Sequence, residues 1–167
     1  MFKNREDAGR QLGKKLLKYK GKNAIILAIP RGGVPVGYEI AKKLNADLNV
    51  IISRKLPLPD NPEAGFGAVS ENNVLVLNEQ TKYYDKKAIN RIIKEKKEEI
   101  KKLVKIFREG RKLDLKNKIV ILVDDGLAMG STMLAAIETV KKKRARKIVV
   151  AVPTASYDVV KIMEKKS

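Results

Sequence analysis

Apolar positions along this chain recur with two periods, helical and strand-like, and they set out the elements in order. Ala8, Leu12, Leu16 and Tyr19 share one helical face, so residues 5 to 19 predict an amphipathic helix that Gly21-Lys22-Asn23 stops. Ala24 to Ile29 is an unbroken apolar run between turn residues, the pattern of a strand buried on both faces. Pro30 ends it, and Pro35 suits the first turn of a helix through Tyr38, Ile40, Ala41 and Leu44. Leu48 to Ile52 predicts another short strand, ending at Ser53-Arg54-Lys55. Leu56 to Glu63 reads as loop because of its prolines. Phe66 to Ser70 and Val74 to Leu77 predict a hairpin around Glu71-Asn72-Asn73.

The second half is more regular. Residues 82 to 109 predict a long surface helix, with Ile89, Ile93, Ile100, Val104 and Phe107 on one face and mostly Lys and Glu opposite. Ile119 to Val123 is a second fully apolar strand, followed by a helix that places Met133, Ile137 and Val140 on one face. Ile148 to Val152 predicts the last strand, and a short helix from Ser156 carries Val159, Val160 and Met163. The order β-α-β, hairpin, α-β-α-β-α argues for one α/β domain over residues 1–167, with an open, mainly parallel sheet flanked by helices.

Two strand ends carry candidate chemistry. Val123 runs into Asp124 and Asp125, then the small-residue loop Gly126-Leu127-Ala128-Met129-Gly130, then Ser131 and Thr132 at a helix start. Adjacent carboxylates accept hydrogen bonds from vicinal hydroxyls such as those of a ribose. Glycines let a loop turn its N–H groups inward around an anion, and hydroxyls at a helix N-terminus add donors for a phosphate. The second strand end is Pro30-Arg31-Gly32-Gly33, between a strand and a helix N-terminus, which is where open α/β sheets bind ligands. Arg54 and Lys55 stand at a further predicted strand end and face either the same ligand or solvent. Neither a Walker loop nor a dinucleotide fingerprint is present.

Composition narrows the chemistry. There is no Cys and no His, which excludes thiolate nucleophiles, disulfides, His-ligated metals and a Ser-His-Asp mechanism. A metal would be held by carboxylates, water or ligand phosphates, which suits Mg²⁺. No apolar run approaches the roughly 20 residues of a membrane span, and the first residues lack a signal-peptide core; a cytoplasmic protein without membrane contact is the expectation. The 37 Lys+Arg against 19 Asp+Glu give a formal net charge of +18, a field that attracts polyanions or phosphorylated metabolites. Lysine spread along helices and a Lys/Glu/Ile-rich composition are also a thermophile habit, so a solvated surface stays open beside a nucleic-acid partner. Glu95, Glu98 and Glu99 weigh against the long helix as the nucleic-acid surface.

The stretch Val120 to Thr132 resembles the phosphoribosyl-pyrophosphate (PRPP) motif of type I phosphoribosyltransferases, and Pro30 to Gly37 resembles that family's pyrophosphate loop. Asn61-Pro62-Glu63, Phe66-Gly67-Ala68-Val69 and Phe107-Arg108-Glu109-Gly110-Arg111 resemble a subgroup of uncharacterised members. The resemblance implies a Rossmann-like fold, a homodimer, and Mg-dependent transfer of 5-phosphoribosyl from PRPP to a nitrogen nucleophile, a nucleobase as in nucleotide salvage. It places Asp124 and Asp125 on the ribose hydroxyls as the catalytic pair. Gly126, Leu127, Ala128, Met129, Gly130, Ser131 and Thr132 would wrap the 5-phosphate. Arg31, Gly32 and Gly33, with Arg54 or Lys55, would hold the pyrophosphate. Mg²⁺ would be carried by PRPP and water with no direct protein ligand, Asp124 and Asp125 being the candidates to meet it. Met129 stands where the family usually has Thr, which removes a phosphate hydrogen bond of about 1–3 kcal/mol. Ala128 stands where 6-oxopurine enzymes carry Asp. The C-terminus at Ser167 implies an acceptor pocket that is either incomplete or built from residues 56 to 80 and the long helix. The alternative reading is a non-catalytic PRPP or nucleotide sensor that contacts nucleic acid.

Overall fold

The computed structural model describes residues 2–166. The chain divides into two compact units. The first comprises residues up to Ile51, Asp114–Gly130 and Val140 onward; the second comprises Ile52–Leu113 and Ser131–Thr139.

The first unit contains four parallel strands, β1 (Ala24–Ala28), β2 (Asp47–Val50), β6 (Ile119–Val123) and β7 (Lys147–Ala151), in the order β2-β1-β6-β7. Ile26, Leu27, Ile121 and Leu122 are fully buried, so both faces of the central strands are covered, as their unbroken apolar runs require. Helix α1 (Arg5–Lys15) packs on α2 (Gly33–Leu44), and α2 packs on β1. Leu16, Tyr19, Val36, Ile40 and Leu44 meet Ile26, Ile121 and Val123 in one core. Gly9 is a contact point: a Cβ there would lie 2.6 Å from the Val36 carbonyl oxygen. The predicted helix over 5–19 ends at Lys15, and Leu17–Tyr19 tightens into a 3₁₀ turn that buries Tyr19. Helix α5 (Tyr157–Lys166) closes the chain with Val159 and Met163 buried.

The second unit holds an antiparallel sheet, β3 (Ser53–Pro57), β4 (Gly65–Ser70) and β5 (Val74–Leu77), with β4 central and buried throughout. Helix α3 (Lys86–Arg108) packs on β3 and β4. The predicted β4–β5 hairpin is present. Two expectations need correction. The strand over 48–52 stops at Val50, and Ser53 to Pro57, expected to be a strand end and then loop, is a strand of its own. Its prolines misled the pattern reading: Pro57 sits at the end of an edge strand, where the register shifts and no ladder donor is needed. Helix α3 starts at Lys86, where the Asp85 side chain caps it by accepting from the Ala88 N–H, and not at residue 82. Helix α4 (Ser131–Lys142) begins in this unit, and the Ser53 hydroxyl donates to the Thr132 carbonyl at 2.9 Å.

A buried ion pair organises the second unit. Glu71 and Arg108 are each over nine-tenths buried and hydrogen-bonded to each other, and Glu71 also accepts from the Ile52 N–H at 2.8 Å. One carboxylate thus ties the hairpin turn to the end of α3 and to the residue preceding β3.

Candidate active site

The parallel register sets the site. Ala28 lies beside Val123, and Val123 beside Ala151, so β1, β6 and β7 end level and their following loops emerge side by side. The Ile29 N–H donates to the Val123 carbonyl at 2.8 Å, and the Leu127 N–H donates to the Thr154 carbonyl at 3.0 Å. The two sequence motifs of the first unit are therefore neighbours in space.

Their contact is at the limit of packing. A Cβ on Gly32 would lie 2.2 Å from Asp125 Oδ2, and one on Gly33 would lie 2.6 Å from the Val123 carbonyl oxygen and 3.0 Å from Asp124 Cα. Only glycine lets the Arg31 loop lie against the acidic pair. Gly32 caps α2 without any side-chain hydrogen bond; the Gly33 and Val34 N–H groups donate to the Ile29 and Arg31 carbonyls at 3.0 and 3.2 Å, and Pro35 has no N–H. Arg31 is exposed beside them, and the Pro30–Arg31 peptide bond is cis. In the neighbouring loop Gly130 has φ 76, and a Cβ there would meet the Met163 methyl at 2.6 Å. Ala128 and Met129 are exposed, Leu127 is buried, and Ser131 and Thr132 are the first residues of α4.

The carboxylates are unlike each other. Asp125 receives two hydrogen bonds on Oδ2 from Arg5, at 2.8 Å from Nε and 2.6 Å from the terminal nitrogen. Asp124 accepts from the Asp125 N–H at 2.8 Å. Burial pushes the Asp124 carboxyl up to about 7; the Asp125 N–H opposes this, the Asp125 charge adds to it, and Arg5 opposes it. The pair thus sets a half-buried carboxyl, raised by its burial, beside an Arg-paired one. A cleft of about 580 Å³ opens beside Asp125, with Phe2, Arg5, Pro35, Pro153 and Thr154 in its walls.

Arg5 was not legible as part of this site. It stands 120 positions from Asp125, and its only local signal is its place after the α1 N-cap Asn4. The Thr154 anchor was missed in the same way. Arg54 and Lys55 lie in β3 of the second unit: the Arg54 guanidinium pairs with Glu99 at 2.7 Å, and Lys55 Nζ donates to the Glu63 carbonyl at 2.9 Å. Among the described residues no three His, Cys, Asp or Glu groups converge as a metal cage. Among the described residues no helix is long and apolar enough to cross a membrane.

Residues 2–161 match the phosphoribosyl transferase domain family. A Mycobacterium tuberculosis protein provisionally named a phosphoribosyl transferase is 40% identical over 164 residues, 96% of this chain and 37% of the relative; the chain thus spans little more than a third of the length of that curated relative. The crystal structure of a Thermus thermophilus protein superposes with a TM-score of 0.79 at 36% identity, covering 99% of this chain and 81% of that one. A purine phosphoribosyltransferase of Pyrococcus horikoshii shares the fold, with a TM-score of 0.54 at 22% identity over 89% of this chain and 70% of that one. With a family match over nearly the whole chain and both motifs at adjoining strand ends, the chain belongs to the phosphoribosyl transferase domain family.

Proposed function

We propose that this chain, residues 1–167 acting as one domain, transfers 5-phosphoribosyl from PRPP to a nitrogen nucleophile of the nucleobase class and releases pyrophosphate. The observation that carries this reading is the packing of Gly32 and Gly33 against Asp125 and Asp124. It sets the loop that carries the exposed Arg31 cation beside a diol-binding acidic pair, as a ribose bearing pyrophosphate at C1′ requires. Asp124 and Asp125 accept from the ribose 2′- and 3′-hydroxyls. The backbone from Gly126 to Gly130, with Ser131 and Thr132, holds the 5-phosphate. Arg31, Gly32 and Gly33 hold the pyrophosphate; Arg54 and Lys55, paired with Glu99 and the Glu63 carbonyl, assist only if those bonds exchange. The acceptor enters the cleft beside Asp125.

In the reaction the C1′–O bond to pyrophosphate breaks, a C1′–N bond forms, and the acceptor nitrogen loses its proton. Positive charge develops on the ribose ring, and the acidic pair stabilises it while the two loops fix both ends of the donor. Mg²⁺ fits these residues: it binds through one or two carboxylates, waters and substrate phosphates without a protein cage. Asp124 and Asp125 would hold it through water, and when bound it neutralises the leaving pyrophosphate. Membership of the uncharacterised subgroup, a homodimeric state and a cytoplasmic setting belong to the same proposal. The test is incubation of the protein with Mg²⁺, PRPP and a panel of nucleobases, following pyrophosphate. Base-dependent release is expected; PRPP binding without release for any base would leave a sensor and remove the enzyme.

A further inference from the structure

We infer that the N-terminal edge of the parallel sheet, remote from the PRPP loops, is a binding face for the phosphodiester backbone of a nucleic-acid duplex. The net charge is not spread along the chain. Segments 14–22, 42–47, 114–118 and 141–147 hold fifteen Lys and Arg against two carboxylates, Asp47 and Asp114, a surplus of thirteen in a chain of net charge +18. They are the helix ends and turns that feed β1, β2, β6 and β7, and the topology brings them to one edge.

Backbone hydrogen bonds show that these turns adjoin. The Ile119 N–H donates to the Asn23 carbonyl, the Asn117 N–H to the Arg144 carbonyl, and the Arg146 N–H to the Lys118 carbonyl. Asn23, Asn45, Asn117 and Arg144, one in each turn, all have φ between 50 and 60. Lys18 and Lys147, far apart in sequence, both lie over the Tyr19 ring, at 5.3 and 5.6 Å. Thirteen of the fifteen cations are exposed.

The difference from α3 is one of charge density: α3 sets ten Lys and Arg against three glutamates, a surplus of seven over 23 residues with Lys96 paired to Glu99 and Lys101 to Glu98, whereas the four edge segments hold a surplus of thirteen over 27 residues. Concentrating like charge at the sheet edge costs self-repulsion that a polyanion relieves. Four strands at about 4.8 Å spacing make the edge about 15 Å wide. A duplex presents one phosphate charge per roughly 1.7 Å, so about nine phosphates cross that width. Thirteen of the fifteen cations are lysines, point charges suited to phosphates, whereas bidentate reading of bases favours Arg; binding is therefore independent of sequence. The PRPP loops leave the opposite ends of the same strands, so both ligands bind together.

The test measures binding of the full chain to 20-base-pair RNA and DNA duplexes, and to vesicles of phosphatidylserine, from 50 to 200 mM salt. Contact with six or more phosphates predicts a fall in affinity of about a thousandfold across that range. Lys20→Gln/Lys22→Gln/Lys116→Gln/Arg146→Gln reduces the log–log slope by about three to four, and Lys94→Gln/Lys97→Gln/Lys102→Gln/Lys105→Gln on α3, equal in charge, leaves it unchanged. In the unaltered protein a duplex shields Lys20, Lys22 and Lys116 from amine acetylation and does not shield Lys94 or Lys102. The two duplexes identify the nucleic acid. Equal loss in both variants, protection on α3, binding to vesicles alone, or no duplex binding at 150 mM salt each overturns the inference.

Discussion

Gly32→Ala separates the site from the fold. The new Cβ would lie 2.2 Å from Asp125 Oδ2, 2.4 Å from its Cγ and 2.7 Å from Oδ1, distances no Cβ tolerates. The obstacle is a side chain, so it moves: the carboxylate swings away by about 1 Å and gives up its two hydrogen bonds from Arg5. That ion pair is partly exposed, so its loss costs about 0–1 kcal/mol of stability. The cost to ligand is larger. A charged hydrogen bond to a ribose hydroxyl contributes about 1.5–3 kcal/mol, so PRPP affinity falls about tenfold to a hundredfold. Gly33→Ala is the control of opposite kind, because its Cβ meets the Val123 carbonyl and Asp124 Cα, backbone of a buried strand end. It should lower stability by about 1–3 kcal/mol as well as abolish binding. Titration calorimetry with Mg-PRPP and thermal melts read both quantities. A Gly32→Ala protein that binds PRPP like the parent would show that Asp125 does not face the ligand.

Three further outcomes follow from the same structure. The folded Asp124 carboxyl sits near 7, above its unfolded value of 3.8, so its contribution to stability is present at low pH and is lost as pH rises through that window. Melts from pH 4 to 8 should show Asp124→Asn gaining about 1–2 kcal/mol relative to the parent toward pH 8, after allowance for solvent at a half-buried site; equal pH profiles would refute this. PRPP affinity should rise between pH 6 and 8 as the same carboxylate ionises, and Asp124→Asn should bind weakly and without that rise in calorimetric titrations. Glu71→Ala should cost about 3–5 kcal/mol in urea unfolding because it leaves the Arg108 charge buried, whereas Glu98→Ala, from the exposed pair with Lys101, should leave the urea midpoint close to the parent's.

The pattern of Ile119–Val123 followed by two carboxylates, glycines and hydroxyls was enough to find the strand, the loop and the helix start behind it, because each property is local: apolar runs bury, glycine bends, and small polar residues begin helices. Helices α2 and α4, the β4–β5 hairpin and the parallel sheet were legible for the same reason. What depends on pairing between distant segments was not. No local signal distinguishes Ser53–Pro57 as an edge strand from a proline-rich loop, since a backbone satisfied by a neighbouring strand and one satisfied by water have the same side chains. Arg5 on Asp125, Glu71 on Arg108 and the level strand ends that pack Gly32 against Asp125 are likewise products of register. Sequence alone determined which chemical groups this protein carries and in what local setting. Only the tertiary structure decided which charges meet, because burial and proximity, and with them the raised Asp124 carboxyl and the cationic sheet edge, arise when strands far apart in the chain align.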